Sequence, residues 1–345
     1  MAQRQRNGLI IRGSQVRILL GPPIRLLAAL AVVTCLCVPS ALAASGRLSP
    51  HSETRAPVLA FYYMWYHRTT WCHCTMPDLP IRLYDSSDGA TIDRQISQAA
   101  GAGITGFITS WPGPGTTQDA NLRSLFAHIA AYRAAGGAPF VSSIYLECDM
   151  PAIRGNLAGS LRYALMHYAS NPDFFHWHGK PVIFVWDPLG GGRTLGQWAS
   201  VRRAVDPSHH SLWIAEGTNM SLLTVFDGIH LYSAADWALS DHSIAATDRS
   251  FQTRVAAYNA AHRSARLWIA GVMPGYDDRR VPGRVSPSSI PRDRGATYRE
   301  SWAGALASSP TWITITSWNE WFEGTAIEPG RRDGRWYLDL TKQLH

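Results

Sequence analysis

The sequence predicts a single-domain α/β protein of the (β/α)₈ TIM barrel type, and three observations support that prediction. Eight apolar segments with strand character recur along the chain, separated by stretches with helical periodicity. Such alternation is typical of a parallel sheet whose strands are linked by helices. No glycine-rich fingerprint follows the first strand, which argues against an open dinucleotide-binding sheet. The 345 residues contain no internal repeat and suffice for one barrel of about 250 residues or more.

The predicted strands are rich in β-branched and aromatic residues and span 58–65, 105–111, 139–147, 181–187, 211–217, 228–233, 267–273 and 312–318. Helices are predicted over 91–102, 121–135, 153–169, 195–205, 251–263 and 297–307, with only a stub at 222–226. Two long connections, 66–90 and 275–295, each follow a strand. Because such loops lie at the C-terminal face of a barrel, we expect them to form the walls of a cleft.

The N-terminal region predicts secretion. Residues 25–44 combine a basic residue, an apolar run of about a dozen residues and a small-x-small ending at Ala41 and Ala43. We therefore expect a signal peptide over 1–43, cleaved after Ala43, then a linker over 44–56 and the barrel domain over 57–345. An uncleaved anchor is the alternative, but the run is shorter than the roughly 20 residues of a membrane span. Residues 1–24 are unusual before a signal, so we expect the true start near residue 24.

The charge distribution argues against a nucleic-acid partner. The chain carries +7, but five arginines precede Ala43 in a stretch without acidic residues, which leaves +2 for the remainder. The other arginines are scattered and form no stripe suited to phosphates. After cleavage of the signal we also expect no stable membrane insertion.

Three cysteines remain after the signal peptide. An oxidising destination permits one disulfide among them, and we consider a bond from Cys148 to Cys72 or Cys74. Cys72, His73 and Cys74 resemble half of a metal site, but a structural zinc site needs four ligands at suitable spacing and no second cluster is present. The sequence thus predicts no metal and no cofactor.

The candidate functional residues are those at the C-terminal ends of the predicted strands, where barrel enzymes place their catalytic groups. Carboxylates and aromatic rings together suit a carbohydrate, because acids transfer protons and bind hydroxyls while rings stack on sugar faces. Reading these strand ends in chain order yields Tyr62, Tyr63, Trp65, Tyr66, Trp111, Glu147, Asp187, Glu216, Tyr232, Tyr276, Asp277, Glu320 and Glu323.

Glu320 and Glu323 are the candidate catalytic pair. Glycosidic cleavage generally uses two carboxyl groups, one of them protonated as the general acid. On a regular strand, positions i and i+3 point to opposite faces, so both can reach one cleft only if the strand has ended by about Trp318. Gly324 agrees with a turn just beyond. The alternative is that one glutamate is merely the salt-bridge partner of a barrel arginine.

The strand-end motifs resemble glycoside hydrolase family 99, the endo-α-mannosidases, and a related domain found beside bacterial polysaccharide genes. The resemblance covers nearly the whole expected mature chain. Five motifs occur in order, at residues 60–66 (AFYYMWY), 103–115, 179–187, 274–277 (PGYD) and 315–329 (ITSWNEWFEGTAIEP). The last is the most specific. Phe322 and Ala326 depart from it, since the family usually has His and Gln there.

The resemblance implies a metal-independent, endo-acting hydrolase that cleaves α-mannosidic bonds with retention, through a 1,2-anhydro sugar intermediate.

 In the implied route, the first glutamate of the last motif acts as a base on the sugar 2-hydroxyl. The oxygen of that hydroxyl then attacks the anomeric carbon and forms the 1,2-anhydro sugar. The second glutamate protonates the leaving oxygen and later activates water. Carried over, Glu320 is the base and Glu323 the acid/base.

The implied substrate contacts are aromatic and polar residues of the same motifs and strand ends. The resemblance points first to Tyr63, Trp111, Tyr232 and Asn319. The full expected set is Tyr62, Tyr63, Trp65, Tyr66, Trp111, Asp187, Tyr232, Tyr276, Asn319 and Trp321. The expected partner is a polysaccharide or glycan. Two alternatives stay open: a hydrolase or biosynthetic accessory for another bacterial polysaccharide, and a non-catalytic glycan-binding barrel.

Overall fold

The computed structural model describes residues 56–233 and 243–345, and the expected signal peptide lies outside them. The strands of the described part are β1 (Val58–Tyr62), β2 (Gly106–Trp111), β3 (Val141–Glu147), β4 (His176–Trp177), β5 (Lys180–Trp186), β6 (Leu212–Glu216), β7 (Gly228–His230), β8 (Leu267–Val272), β9 (Tyr276–Asp277), β10 (Ser289–Ile290) and β11 (Trp312–Ile315). Eight of them are parallel and close into a ring in the order β1, β2, β3, β5, β6, β7, β8, β11. The predicted (β/α)₈ barrel is confirmed.

The helices surround this ring. They are α1 (Gly89–Gly101), α2 (Thr117–Ala134), α3 (Pro151–Arg154), α4 (Leu157–Tyr168), α5 (Leu195–Val205), α6 (Ile244–His262), α7 (Ala296–Ala307) and α8 (Trp336–Leu344). Side-chain caps mark several starts: Thr194 and Gln197 form a reciprocal capping box on α5, and the Ser243 hydroxyl accepts from the Ala246 amide on α6. The Ser243 cap explains why α6 begins well before the predicted residue 251. The predicted stub is a 3₁₀ helix, Met220–Thr224.

Three strands end three residues earlier than the sequence predicts. β1 ends at Tyr62 rather than 65, β7 at His230 rather than 233, and β11 at Ile315 rather than 318. In each case apolar or aromatic residues continue past the last ladder position and stay buried: Tyr63 and Tyr232 in the barrel core, and Trp318 between the strands and the helices. Hydrophobic pattern alone therefore does not mark where the ladder stops.

Alternation along the strands divides the buried side chains into two cores. One core fills the barrel and includes Phe61, Phe184 and Trp312. The other lies between the strands and the helices and includes Tyr62 and Phe107. Consecutive residues such as Phe61 and Tyr62 therefore belong to different cores, and this decides which strand-end side chains can reach the mouth.

The cysteine pairing differs from the prediction. Cys72 is bonded to Cys74, with their Cα atoms 5.1 Å apart, and Cys148 is a free, buried thiol at the end of β3. Cys148 packs in the layer between strands and helices and so does not reach the loop that carries the other two cysteines. Among the described helices, none is both long and apolar enough to cross a membrane.

Candidate active site

The chain turns sharply after β11, as the shared position of Glu320 and Glu323 requires. The Ser317 amide donates to the Thr325 carbonyl at 3.1 Å, and the Thr325 amide donates to the Glu320 carbonyl at 3.2 Å. Gly324 has φ +62°, a left-handed conformation that glycine adopts without strain. The closed loop 317–325 brings the two carboxyl groups to one hollow at the mouth.

Glu320 is almost completely buried, with 3% of its surface exposed. Its carboxylate accepts from the Phe322 amide at 3.1 Å and lies 3.4 Å from the Tyr66 hydroxyl. Burial, followed by the negative charge of Glu323, raises the pKa of Glu320 well above its usual value. No cation pairs with its carboxylate among the described residues.

Glu323 has a different environment, although it is also buried, at 6% exposure. The Arg284 guanidinium donates to one carboxylate oxygen at 2.6 Å, and the Tyr232 hydroxyl lies 3.3 Å from the other. Burial raises the pKa of Glu323, and the nearby Arg284 charge opposes that rise. One member of the pair therefore has a cationic partner and the other has none.

Aromatic side chains from the ends of β1 and β7 surround the pair. The hydroxyl groups of Tyr63 and Tyr232 are 2.9 Å apart, and the Tyr63 ring lies 4.6 Å from the Trp65 ring. Tyr66 stacks between Trp71 at 4.6 Å and Phe322 at 6.0 Å. We call this site, formed by Tyr63, Trp65, Tyr66, Tyr232, Glu320 and Glu323, the aromatic hollow. Phe322 thus extends an aromatic stack at the position where the resembled motif usually has histidine.

The loop after β8 closes one side of the hollow. β9 and β10 form a short antiparallel hairpin, and the Asp277 amide donates to the Glu323 carbonyl at 2.7 Å. The Tyr276 hydroxyl donates to Asp278 at 2.9 Å, and Asp278 also pairs with Arg284. The predicted wall of the cleft therefore carries a charged group directly to the catalytic candidate Glu323.

Further carboxyl groups occupy the opposite side of the mouth, at the ends of β3, β5 and β6. Burial raises the pKa of Glu147 to about 7 and that of Glu216 to about 8. Asp187 adjoins Glu216, and burial raises its pKa as well. No hydrogen bond or ion pair in the described part of the chain joins Asp187 to Glu320 or Glu323.

Comparison with known proteins decides the family. The model of glycosyl hydrolase family 99 matches residues 72–343. The chain belongs to glycosyl hydrolase family 99. It is 26% identical over 277 residues to the glycoprotein endo-alpha-1,2-mannosidase of Mus musculus, which covers 74% of this chain and 58% of that protein. It is 25% identical over 333 residues to the endo-alpha-1,2-mannosidase-like protein of Homo sapiens, covering 81% and 70%.

A solved structure of the same family shares the fold. The GH99 endo-alpha-mannosidase from Bacteroides thetaiotaomicron, in complex with BIS-TRIS-propane, superposes with a TM-score of 0.67 at 24% identity, covering 84% of this chain and 95% of that one. The resemblance to family 99 and the expectation of a glycoside hydrolase are thereby confirmed at the level of the family. The chain spans just under three fifths of the length of the mouse relative.

Two expected substrate contacts of this family-99 chain lie outside the hollow. The Tyr62 hydroxyl donates to Gln95 of α1 at 2.5 Å, and the Trp111 indole donates to Asp119 of α2 at 2.9 Å. Both side chains are fully buried between the strands and the helices. Their positions correct the prediction, because neighbouring strand residues alternate between the two faces of the barrel wall.

The polar side-chain groups of Asn319 and Trp321 form hydrogen bonds within the protein. The Asn319 amide accepts from the Tyr63 amide at 2.8 Å and donates to the Tyr63 carbonyl at 2.9 Å and to the Tyr84 hydroxyl at 3.1 Å. The Trp321 indole donates to the buried Glu328 at 3.2 Å. Since these groups are already satisfied, Asn319 and Trp321 position the ends of β1 and β11 and offer no free polar group to a ligand.

Sequence reasoning missed Arg284. It lies 39 residues before Glu323, in a loop with four other arginines, and nothing in the local pattern distinguishes it. Only the path of the loop after β8 selects it. The described residues contain no group of three or more His, Cys, Asp or Glu side chains suited to hold a metal ion.

Proposed function

We propose that this chain is a retaining, endo-acting α-mannosidase. The observation that carries the proposal is the pair Glu320 and Glu323, buried together in one aromatic hollow but with different partners. Two acids in unlike environments are what glycosidic cleavage requires, because one must release a proton while the other accepts one. The names of the mouse and Bacteroides relatives support α-mannosidic bonds as the target.

The proposed reaction proceeds in two steps. Glu320 takes the proton of the sugar 2-hydroxyl, and the 2-oxygen forms a bond to the anomeric carbon while the glycosidic bond breaks. Glu323 gives its proton to the leaving oxygen. Glu323 then takes a proton from water, which attacks the anomeric carbon, and Glu320 returns a proton to the 2-oxygen. The internal nucleophile has a high effective concentration, so no third carboxylate is needed in line with the anomeric carbon.

The rings of the hollow would hold the sugar for this reaction. Tyr63, Trp65 and Tyr66 offer faces beside Glu320, and the Tyr232 hydroxyl bridges Tyr63 to Glu323. Tyr276 lies beside Arg284 at the edge, where the leaving part of the glycan would pass. Asp187, across the mouth, would bind a more distant hydroxyl group.

Proton NMR of the first product tests the chemistry. Incubated with yeast, fungal and bacterial α-mannans, the protein is expected to release oligosaccharides whose new reducing end is initially the α anomer. An initial β anomer would contradict the anhydro-sugar route. Binding without cleavage of any mannan in the panel would instead favour a glycan-binding barrel.

Secretion is part of the proposal, and the sequence of residues 25–44 supports it. Expressed with its own N-terminus in a bacterial host, the protein is expected outside the cytoplasm, beginning at Ala44. Mass spectrometry of the purified protein tests this, and an intact residue 1–43 segment would contradict it.

A further inference from the structure

The ion pair between Arg284 and Glu323 has a consequence for the charge of the catalytic pair. Among its partners in the described part of the chain, Arg284 contacts Asp278, the Tyr276 hydroxyl at 3.2 Å and Glu323 at 2.6 Å. Its side chain is only 11% exposed, so water screens the attraction weakly. A guanidinium at this distance favours the ionised form of Glu323.

Glu320 has no ion pair with a cation among the described residues, and the Arg284 charge lowers its pKa less than burial and the Glu323 charge raise it. Its described hydrogen-bond partners are the Phe322 amide and the Tyr66 hydroxyl. The negative charge of its neighbour Glu323 disfavours ionisation of Glu320. Two buried carboxyl groups whose charges act on each other share a proton at intermediate pH, since ionising both is unfavourable. The ion pair with Arg284 therefore favours the ionised form of Glu323 over that of Glu320.

We propose that Arg284 keeps Glu323 ionised in the unliganded protein, so that the proton of the pair rests on Glu320. The consequence rests on the proposed function, in which Glu320 must start as the base and Glu323 as the acid. The resting arrangement is then the reverse of the reactive one. Substrate binding must transfer the proton from Glu320 to Glu323, and Arg284 is the positioning residue that sets this equilibrium.

Other groups that face Glu323 do not reverse this assignment. Tyr232, Tyr63 and Tyr276 are neutral, because burial raises the pKa of each phenol. Asp278 and Glu147 are acids, and their charges disfavour ionisation of Glu323. Asp278, however, pairs with Arg284 itself, and burial raises the pKa of Glu147 to about 7. Arg284 is the one cation in contact with Glu323 among the described residues.

Carboxyl NMR tests the resting charge without any substrate. The chain contains seven glutamates, so labelling their side-chain carboxyl carbons gives few signals to assign. We expect the signal absent from Glu323→Gln to have the lower titration midpoint and the signal absent from Glu320→Gln the higher one. The opposite order in the unmutated protein would overturn the proposal, even if no polysaccharide is ever cleaved.

The pH profile of kcat/KM tests the consequence. If the first proton leaves Glu323, the acidic limb reports Glu323, and Arg284→Gln should move that limb upward by about 1–3 units. If Glu323 holds the proton instead, the same variant would move the basic limb, which contradicts the proposal. Arg284→Lys retains the cation and should leave the acidic limb near its original position.

Arg279→Gln is the matched control. Arg279 lies on the same loop and its removal changes the net charge equally, but it is exposed and pairs with Asp277 at 2.8 Å. An equal shift in Arg279→Gln would show a general charge effect and overturn the specific role of Arg284. Absence of turnover in the unmutated protein would count against the proposed function, whereas the NMR titration would still decide the charge assignment.

Discussion

Two pairs of acids at the barrel mouth differ in whether an arginine side chain contacts one of the two carboxylates. Glu320 and Glu323 follow β11, whereas Asp187 and Glu216 lie at the ends of β5 and β6 on the opposite side. Burial raises the pKa of every member. In the first pair, however, Arg284 and Tyr232 contact Glu323 alone. In the second, the Asp187 charge raises the pKa of Glu216 further, to about 8, and Arg193 lowers the pKa of Asp187 while donating to its backbone carbonyl.

The comparison shows that burial alone does not make a catalytic pair. Two acids take different roles only if their surroundings push their protonation apart. The loop after β8 supplies that asymmetry to Glu320 and Glu323. Three experiments test this difference between the two pairs.

The largest effect is expected from removing one acid of the first pair. Glu323→Gln should lower kcat on an unactivated mannan by about 10³-fold, because a positioned acid contributes roughly 10²–10⁴-fold. On an aryl mannoside with an activated leaving group the loss should be much smaller. Glu216→Gln, measured in parallel on both substrates, should lose at most about tenfold. An equal loss for both variants would contradict the distinction between the pairs.

A smaller effect is expected from removing one hydroxyl group. Tyr232→Phe deletes the contact with Glu323 and the hydrogen bond to Tyr63, so kcat/KM should fall by roughly tenfold, the worth of one hydrogen bond to a charged group. Tyr145→Phe is the control, because the Tyr145 hydroxyl is buried without a hydrogen-bond partner among the described residues. Steady-state kinetics with both variants would show no difference if the Tyr232 hydroxyl were unimportant.

The smallest effect concerns stability and the second pair. Glu216 has a raised pKa of about 8 in the folded state against 4.5 for the ordinary group. The folded state therefore binds the proton more tightly, and the free energy of unfolding should fall as pH rises from about 4.5 through 8. Glu216→Gln should flatten that slope. Thermal unfolding at pH 5 and pH 8.5 measures it, and an unchanged slope would mean that Glu216 ionises normally.

The sequence predicted the barrel because its signal is periodic and local. Eight apolar strands are separated by six predicted helices and one stub, and each element shows its own local pattern. The turn after β11 was also predictable, since Glu320 and Glu323 could share a cleft only if the strand ended first. The residues Tyr62 and Trp111 were misplaced because a strand-end position does not reveal which face of the wall its side chain takes.

The sequence by itself thus determined the fold class, the family and the two candidate acids. Tertiary structure decided which neighbours those acids have. Arg284 donates to Glu323, 39 positions further along the chain, and the Asn319 side chain accepts from the Tyr63 amide across 256 positions. Such contacts depend on how loops close over the barrel mouth, and they leave no periodic trace in the order of the residues.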